Sequence, residues 1–281
     1  MYNNKIGVIF NLDRLLDEGP EVLFELGIET IQLSVWDTKI STAENAEKVK
    51  KLLDGKIQVT SVWGGWTGPQ VWDFIDGPIT LGLVPQDYRS QRVKELKCHA
   101  DFAKAVGSPN LVTHMGFLPE NPYDPNYRPT VQAIRQVADH CRYLGIDFNF
   151  ETGQETPVTL MRTIQDVGNP NLGVNFDPAN IIMYGKGNPV DAIDIYGDRI
   201  RGIHVKDGNY PKGDFHELGD ETFVGDGTVN YPVFLPKLIR SGYKGDLYIE
   251  REISGEQQIT DIKKTISYVR GVLAQLNKED F

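Results

Sequence analysis

The sequence predicts a single (β/α)8 barrel, a TIM barrel of the α/β class. Short runs rich in β-branched residues alternate with longer helical patterns, which is typical of parallel βαβ units, and eight such units can be counted. The length of 281 residues also suits one barrel, which typically takes about 250 residues. We therefore expect one domain over residues 1–281.

Eight segments carry the pattern of buried strands. They are IGVIF (6–10), TIQLSVW (30–36), IQVTSVW (57–63), NLVTHMG (110–116), DFNFETG (147–153), LGVNFDPA (172–179), IRGIHVKD (200–207) and DLYIERE (246–252). Between them, apolar residues recur at intervals of three and four in segments such as 90–106, 129–144 and 257–276. An open doubly wound sheet is the alternative, but no GxGxxG turn follows the first strand, which argues against its nucleotide-binding form.

Glycines mark the ends of several helical segments. We expect left-handed caps at Gly27, Gly107, Gly145 and Gly242. Each of these glycines leads into the next strand, as the barrel pattern requires.

The composition excludes some classes of partner. The net charge is -10, from 39 acidic and 29 basic residues, so the overall field repels nucleic acids and anionic membranes. No apolar stretch approaches the ~20 residues of a membrane span, and the first apolar run is too short for the core of a signal peptide. We expect a cytoplasmic protein with no nucleic-acid or membrane partner.

Two connections are longer than a barrel needs, residues 64–88 and 208–229. Both follow strands, so both lie at the C-terminal face, where barrel enzymes keep their chemistry. The first contains Trp66, Trp72 and Phe74. We expect this loop to cover a site and Trp66 to contact a substrate; simple surface decoration is the alternative.

Acidic residues and a histidine end four consecutive strands. Because side chains alternate across a strand, Glu151 points inward together with Asn149, and the same parity directs Asp177, His204 and Glu250 inward. Four side chains should therefore converge at one end of the barrel.

Such a cluster favours a bound cation. Three crowded carboxylates repel one another and raise each other's pKa unless a cation lies between them. One imidazole with three carboxylates suits a divalent ion, so we expect one such ion, Mn²⁺ in the first place and Mg²⁺, Co²⁺ or Zn²⁺ as alternatives.

Two further residues are candidates for substrate binding by their position on the strands. His114 is inward by the same parity, where it could touch substrate or serve as an ordinary core histidine. Lys206 lies two residues past His204 on the same face, where it could polarise a carbonyl or simply pair with a nearby acid.

The segments ETGQET, NFDPAN, GIHVKDG, VGDGTVNY and YIERE together resemble the xylose isomerase-like barrel superfamily, the sugar phosphate isomerase/epimerase group. The resemblance covers nearly the whole chain and is densest from Glu151 to Glu252. It implies one divalent metal held by Glu151, Asp177, His204 and Glu250. In the ketose 3-epimerases of this group the two metal-binding glutamates are also the acid/base pair, which implies that role for Glu151 and Glu250.

The chemistry that the resemblance implies is proton transfer next to a carbonyl. A metal that holds a carbonyl and its neighbouring hydroxyl acidifies the shared C–H, and one carboxylate removes the proton to give a cis-enediolate. A second carboxylate returns the proton, which epimerises the same carbon or isomerises aldose and ketose. We therefore expect a metal-dependent isomerase or epimerase of a small sugar, with a homo-oligomer left open.

Several other functions stay open. The epimerases tend to carry a histidine where Asn180 stands, three residues after Asp177; Asn180 can hydrogen-bond a substrate but cannot shuttle a proton. The epimerases also place an arginine shortly after their strand-seven histidine, which this sequence lacks. An inosose dehydratase or a hydroxypyruvate isomerase would use the same metal, and a catalytically silent sugar-binding barrel is a further alternative. The sequence does not show whether the substrate carries a phosphate.

A nuclease function is disfavoured. The AP endonucleases of this superfamily use three metal ions and need extra histidines, whereas no histidine precedes His99. Asp214 and His216 resemble the third-metal motif of that branch, but the net charge of -10 opposes DNA binding.

Overall fold

A computed structural model describes residues 1–280 and shows a closed barrel of parallel strands surrounded by helices, which confirms the predicted fold. The eight barrel strands are β1 (Ile6–Asn11), β2 (Thr30–Val35), β3 (Gln58–Gly64), β4 (Asn110–His114), β5 (Asp147–Glu151), β6 (Leu172–Phe176), β7 (Ile200–Val205) and β10 (Asp246–Ile249). Strand β10 pairs with both β7 and β1, which closes the ring. Two short strands, β8 (Asp207–Gly208) and β9 (Glu221–Thr222), form a separate antiparallel pair in the loop after β7.

Helices follow the strands around the outside of the barrel. They are α1 (Leu12–Glu18), α2 (Glu21–Leu26), α3 (Ala43–Leu53), α4 (Gly77–Thr80), α5 (Gln86–Val106), α6 (Tyr127–Leu144), α7 (Pro157–Val167), α8 (Pro178–Met183), α9 (Pro189–Tyr196), α10 (Tyr231–Arg240) and α11 (Glu256–Asp280), with a 3₁₀ turn at Gly197–Arg199. None of the helices within residues 1–280 is long and apolar enough to cross a membrane.

Three of the four glycine caps are as predicted, and the fourth is displaced by one residue. Gly27, Gly107 and Gly145 cap α2, α5 and α6 in the left-handed region, with φ of 61°, 89° and 72°. Gly242 has φ 97° and lies one residue after Ser241, which caps α10. These caps end the helices where the chain turns back towards the barrel.

The alternation of side chains along the strands is also as predicted. Phe148 and Phe150 of β5 face the helices and are fully buried. Asn149, between them, faces the barrel interior, as does Asn175 of β6. A glycine on the neighbouring strand leaves room for each of these two amides. A Cβ on Gly173 would lie 2.4 Å from Asn149 Oδ1, and a Cβ on Gly202 would lie 2.4 Å from Asn175 Oδ1.

Several strands end earlier than predicted. Strand β6 ends at Phe176 and β10 at Ile249, so Asp177 and Glu250 come directly after their strands. Asp177 leaves the strand because it is the N-cap of α8, where its Oδ1 accepts a hydrogen bond from the backbone N–H of Asn180. Both residues lie at the C-terminal end of the barrel, and the helix cap holds Asp177 there.

Candidate metal centre and active site

The four residues at the strand ends lie together, as the alternation predicts. Glu151, Asp177, His204 and Glu250 each offer one ligand atom, and these atoms all lie within 4.8 Å of one another. Among residues 1–280 this is the only group of at least three His, Cys, Asp or Glu side chains with such a spacing. The geometry therefore provides one candidate metal site.

The imidazole of His204 lies at the centre of the group. Its Nδ1 is 3.0 Å from Glu250 Oε2, 3.1 Å from Glu151 Oε1 and 3.5 Å from Asp177 Oδ2. All three carboxylates thus face a single nitrogen.

A neighbouring amide fixes the orientation of this imidazole. His204 Nε2 lies 2.8 Å from Gln32 Oε1, which can only accept, so Nε2 carries the hydrogen and Nδ1 presents its lone pair. Gln32 is itself held through its Nε2, which donates to Ser61 Oγ at 3.0 Å and Asn175 Oδ1 at 3.2 Å. This is the arrangement by which an outer residue orients a metal-binding histidine.

The polar atoms that face one another in this cluster fit a cation. Within the described chain, Asp177 Oδ2, His204 Nδ1 and Glu250 Oε2 are buried and make no hydrogen bond. A lone pair on Nδ1 facing carboxylate oxygens at 3.0 to 3.5 Å is unfavourable unless positive charge lies between them. Three oxygens and one imidazole nitrogen form a donor set that suits Mn²⁺, Mg²⁺, Co²⁺ or Zn²⁺.

The electrostatics of the cluster also favour positive charge. Burial by itself lowers the pKa of His204, but Glu151 and Glu250 outweigh this and raise it well above its usual value. Burial alone would raise the pKa of Glu151, yet the neighbouring His114 and His204 hold it well below its usual range. The cluster thus binds a proton tightly, and a metal ion would compete for the same place.

Glu151 has the most partners. Its Oε2 accepts a hydrogen bond from the indole Nε1 of Trp63. Its Oε1 lies 3.2 Å from His114 Nε2 and accepts from Asn180 Nδ2 at 3.3 Å. Strands β3 and β4 and helix α8 therefore all contribute to the position of this carboxylate.

Lys206 pairs with acids, which is one of the two roles considered for it. Its ammonium lies 3.0 Å from Glu252 Oε1, 3.5 Å from Glu250 Oε2 and 3.7 Å from Asp177 Oδ2. Burial lowers the pKa of Lys206, but these carboxylates outweigh it and raise the pKa well above its usual value. The side chain is buried beneath the cavity rather than in its wall.

A cavity of about 460 Å³ opens above the cluster. Its polar wall includes Glu151, Glu250, His114, Asn180 and Gln154. Its apolar wall includes Trp36, Trp63, Trp72, Met183, Tyr184 and Leu218. This size is usual for a small-molecule site.

The structure corrects the prediction for Trp66. Its indole is only 1% exposed and lies behind the cavity wall, whereas Trp72 of the same loop is 38% exposed and lines the cavity. The guanidinium of Arg92 lies 5.2 Å from the Trp66 ring and donates to the backbone carbonyls of Thr80 and Gly82. Trp66 therefore packs behind the loop, and Trp72 is the residue of this pair that lines the cavity.

The loop after β7 does not bring a second metal site to the cavity. Asp214 and His216 pair with each other at 2.8 Å, and both side chains are more than half exposed. Neither residue lines the cavity or belongs to the metal-binding group.

The sequence patterns did not identify every residue of the site. Gln32 could have been found, because it has inward parity in TIQLSVW together with Ser34 and Trp36. Gln154 and Glu155 lie in the loop after β5, where no periodicity indicates direction. Glu155 is 2% exposed, and burial raises its pKa to about 7.

The chain is similar to known barrel proteins over almost its whole length. The family model described as xylose isomerase-like TIM barrel matches residues 20–271. A xylose isomerase domain protein from Planctomyces limnophilus is 34% identical in its solved structure, with a TM-score of 0.90 and 99% of each chain covered.

Two more distant proteins carry more specific names. A solved D-tagatose 3-epimerase-like protein has a TM-score of 0.75 at 21% identity, covering 99% of this chain and 100% of that chain, which shows a shared fold. An inosose dehydratase of Lacticaseibacillus casei is 21% identical over 272 residues, which cover 85% of this chain and 86% of that protein. With residues 20–271 matched by its model, this chain belongs to the xylose isomerase-like TIM barrel family.

Proposed function

We propose that the protein is a divalent-metal-dependent isomerase or epimerase of a small sugar, acting by proton abstraction next to a carbonyl through a cis-enediolate. The observation that carries the proposal is the group of three carboxylates and one imidazole, of which Glu151 and Glu250 line the 460 Å³ cavity. Its buried polar atoms that make no hydrogen bond suit a cation, and its two cavity-lining glutamates are the proposed proton carriers.

Glu151, Asp177, His204 and Glu250 would hold one divalent ion, Mn²⁺ in the first place. A bound divalent ion polarises carbonyl and hydroxyl oxygens and so acidifies the C–H between them. Gln32 keeps His204 in the tautomer that leaves Nδ1 free as a ligand.

Glu151 and Glu250 are the proposed acid/base pair. They come from β5 and from the end of β10, three strand steps apart around the ring, and both line the cavity. A sugar between them presents opposite faces to the two carboxylates, so one can take a proton and the other can return it. Asp177 does not line the cavity, so its proposed role is to bind the metal ion only.

His114 and Asn180 are proposed to bind substrate hydroxyls. Both line the cavity, and both also contact Glu151, so they align the substrate with the base. Asn180 cannot exchange a proton at neutral pH, so it orients the substrate without joining the proton transfer.

The aromatic wall is proposed to stack on the sugar and to keep water away from the enediolate. Trp36 and Trp63 are packed with their ring centroids 4.8 Å apart, and Trp72 lies 5.1 Å from the ring of His114. Indole rings offer a flat apolar face that suits the C–H face of a sugar.

A dehydratase is the second candidate, supported by the inosose dehydratase relative at 21% identity. The same proton abstraction would then be followed by loss of a hydroxyl group as water instead of reprotonation. The two candidates differ in product, because only the dehydratase removes water from its substrate.

Incubation of the Mn²⁺-loaded protein with ketoses and inososes in D2O tests the proposal. Nuclear magnetic resonance should show exchange of one substrate C–H, together with an epimer, an isomer or a dehydrated product. We expect Glu151→Gln and Glu250→Gln each to slow the exchange by about 10² to 10⁴. Glu29→Gln, an exposed acid at the other end of the barrel, is the matched control and should exchange at the normal rate.

The metal content of each variant is also measured, because a lost metal ion would slow the exchange as much as a lost base. Both cavity variants retain an oxygen ligand and should still bind metal, at reduced affinity. Exchange at the normal rate in both metal-loaded variants would show that these glutamates are not the acid/base pair.

A further inference from the structure

We infer that the substrate is a neutral sugar or a cyclic keto-polyol, such as an inosose, that carries neither a phosphate nor a carboxylate group. This inference rests on the proposed function and narrows its substrate class. It comes from the distribution of charge around the cavity above the metal-binding cluster.

The cavity wall contains acids but no free cation. Glu151, Glu250 and Glu252 line it, and no lysine or arginine of the described chain does. The imidazole of His114 also lines it but lies 3.2 Å from Glu151 Oε1, so it already has an acidic partner. Lys206 is the nearest ammonium, yet it is buried and lies within 3.0 to 3.7 Å of three carboxylates. Its charge is therefore already balanced by the protein.

A bound divalent ion does not reverse this balance. The carboxylates of Glu151, Asp177, Glu250 and Glu252 carry four negative charges, against three positive charges from the ion and Lys206. A phosphate on the substrate would add two negative charges to a site whose cations are already balanced by the acids of the protein.

The two arginines near the rim of the cavity already form ion pairs with acidic side chains. A neighbouring cavity of about 220 Å³ shares Glu250 and Glu252 with the first and contains Arg14 and Arg251. Arg14 pairs with Glu18 at 2.7 Å, while Arg251 pairs with Glu221 at 3.1 Å and with Asp261 at 2.9 Å.

Lys186, which follows α8, also lies outside the wall. Its ammonium is 5.8 Å from the centre of the Phe117 ring. The wall thus lacks the open guanidinium or ammonium group by which proteins usually hold phosphates.

The wall instead offers groups that recognise hydroxyls and C–H faces. Ser34, Gln154 and Asn180 are neutral hydrogen-bonding side chains in the wall. Three indole rings, Trp36, Trp63 and Trp72, form much of the remainder. Neutral polar groups beside indoles match an uncharged sugar.

Matched pairs of ligands test the inference. We propose to titrate the Mn²⁺-loaded protein with D-fructose and D-fructose 6-phosphate, and with D-ribulose and D-ribulose 5-phosphate, following tryptophan fluorescence. C–H exchange in D2O is measured on the same four compounds. The free sugar of at least one pair should bind at least tenfold more tightly than its phosphate, and exchange should follow the same order.

One acid at the mouth provides a sharper test. Glu252 is more than half exposed, and its loss leaves the four metal ligands in place. Glu252→Gln should reduce the preference for the free sugar at least threefold, as should added salt. The matched control is Asp54→Asn, which removes one charge after α3 at the opposite end of the barrel and should leave the preference unchanged.

The outcomes separate the inference from the proposed function. Equal or tighter binding of the phosphates, with exchange of their C–H, overturns the inference alone. An unchanged preference in Glu252→Gln overturns its electrostatic basis. A protein that neither binds nor exchanges any of these sugars, nor any of the ketoses and inososes above, overturns the inference and the proposed function together.

Discussion

The two ends of the barrel interior are both polar, but they satisfy their polar groups differently. Near the N-terminal end, Thr60 Oγ1 and Tyr248 OH share a hydrogen bond of 2.7 Å, and Asn110 Nδ2 donates to the carbonyl of Thr60 at 3.0 Å. At the C-terminal end, buried atoms of Asp177, His204 and Glu250 make no hydrogen bond. Paired polar groups stabilise a fold, whereas unpaired ones cost stability and mark a place for a ligand.

A middle layer connects the two ends. Gln32 donates to Ser61 and Asn175 below and accepts from His204 above. The paired interior therefore sets the orientation of the imidazole in the unpaired cluster. Hydrogen bonds in the barrel interior thus fix the orientation of a residue in the candidate metal site.

The largest expected effect on stability comes from Glu155, an acid buried at the C-terminal end. Burial raises its pKa to about 7, above the value of 4.5 expected in an unfolded chain. The protonated form is favoured by folding, so its contribution to stability is complete below pH 4.5 and is lost as the pH rises through about 7. Glu155→Gln should therefore be more stable than the parent protein at pH 8, by up to about 3 kcal/mol.

Urea unfolding between pH 4.5 and pH 8 measures this effect. The difference between the two proteins should grow with pH, whereas Glu29→Gln, an exposed acid at the other end, should show no such trend. A difference that is constant with pH would show that Glu155 keeps its ordinary pKa in the folded protein.

Asp177 tests the cost of the unpaired cluster. Asp177→Asn keeps a residue type that caps helix α8 but removes one of the three crowded charges. In the presence of a chelator we expect the free energy of unfolding to rise by about 0.5 to 2 kcal/mol, while Mn²⁺ affinity falls sharply. Asp54→Asn is the surface control. A loss of stability would mean that the cluster is already satisfied without a metal ion.

Tyr248 tests the paired end, where we expect the smallest effect. Tyr248→Phe removes the hydroxyl that bonds to Thr60 and should lower the free energy of unfolding by about 0.5 to 1.5 kcal/mol. Mn²⁺ affinity, measured by calorimetric titration, should not change. A large loss of metal affinity would contradict the separation of the two ends.

The sequence was sufficient to predict the barrel and the convergence of Glu151, Asp177, His204 and Glu250. Alternation along a strand is fixed by backbone geometry, so inward positions can be counted without a structure. Strand β6 was predicted to extend too far, because Asp177 caps helix α8 instead of continuing the strand. Whether such a residue continues a strand or caps a helix depends on the residues that follow it.

The loop of residues 64–88 shows a feature that the sequence could not predict. Trp66 and Trp72 belong to one loop, yet only Trp72 lines the cavity. Trp66 packs against the guanidinium of Arg92 in α5, which also donates hydrogen bonds to backbone carbonyls of the loop. Such tertiary contacts have no signature in the periodicity of the loop itself.

The most direct test of the central claim is the number of metal ions per chain. The protein is loaded with Mn²⁺, desalted and analysed for bound metal, with His204→Leu treated in parallel. One cluster with one oriented imidazole predicts about one ion per chain in the parent protein and almost none in the variant. Two or more tightly held ions, or the same metal content in His204→Leu, would contradict a single metal site at Glu151, Asp177, His204 and Glu250.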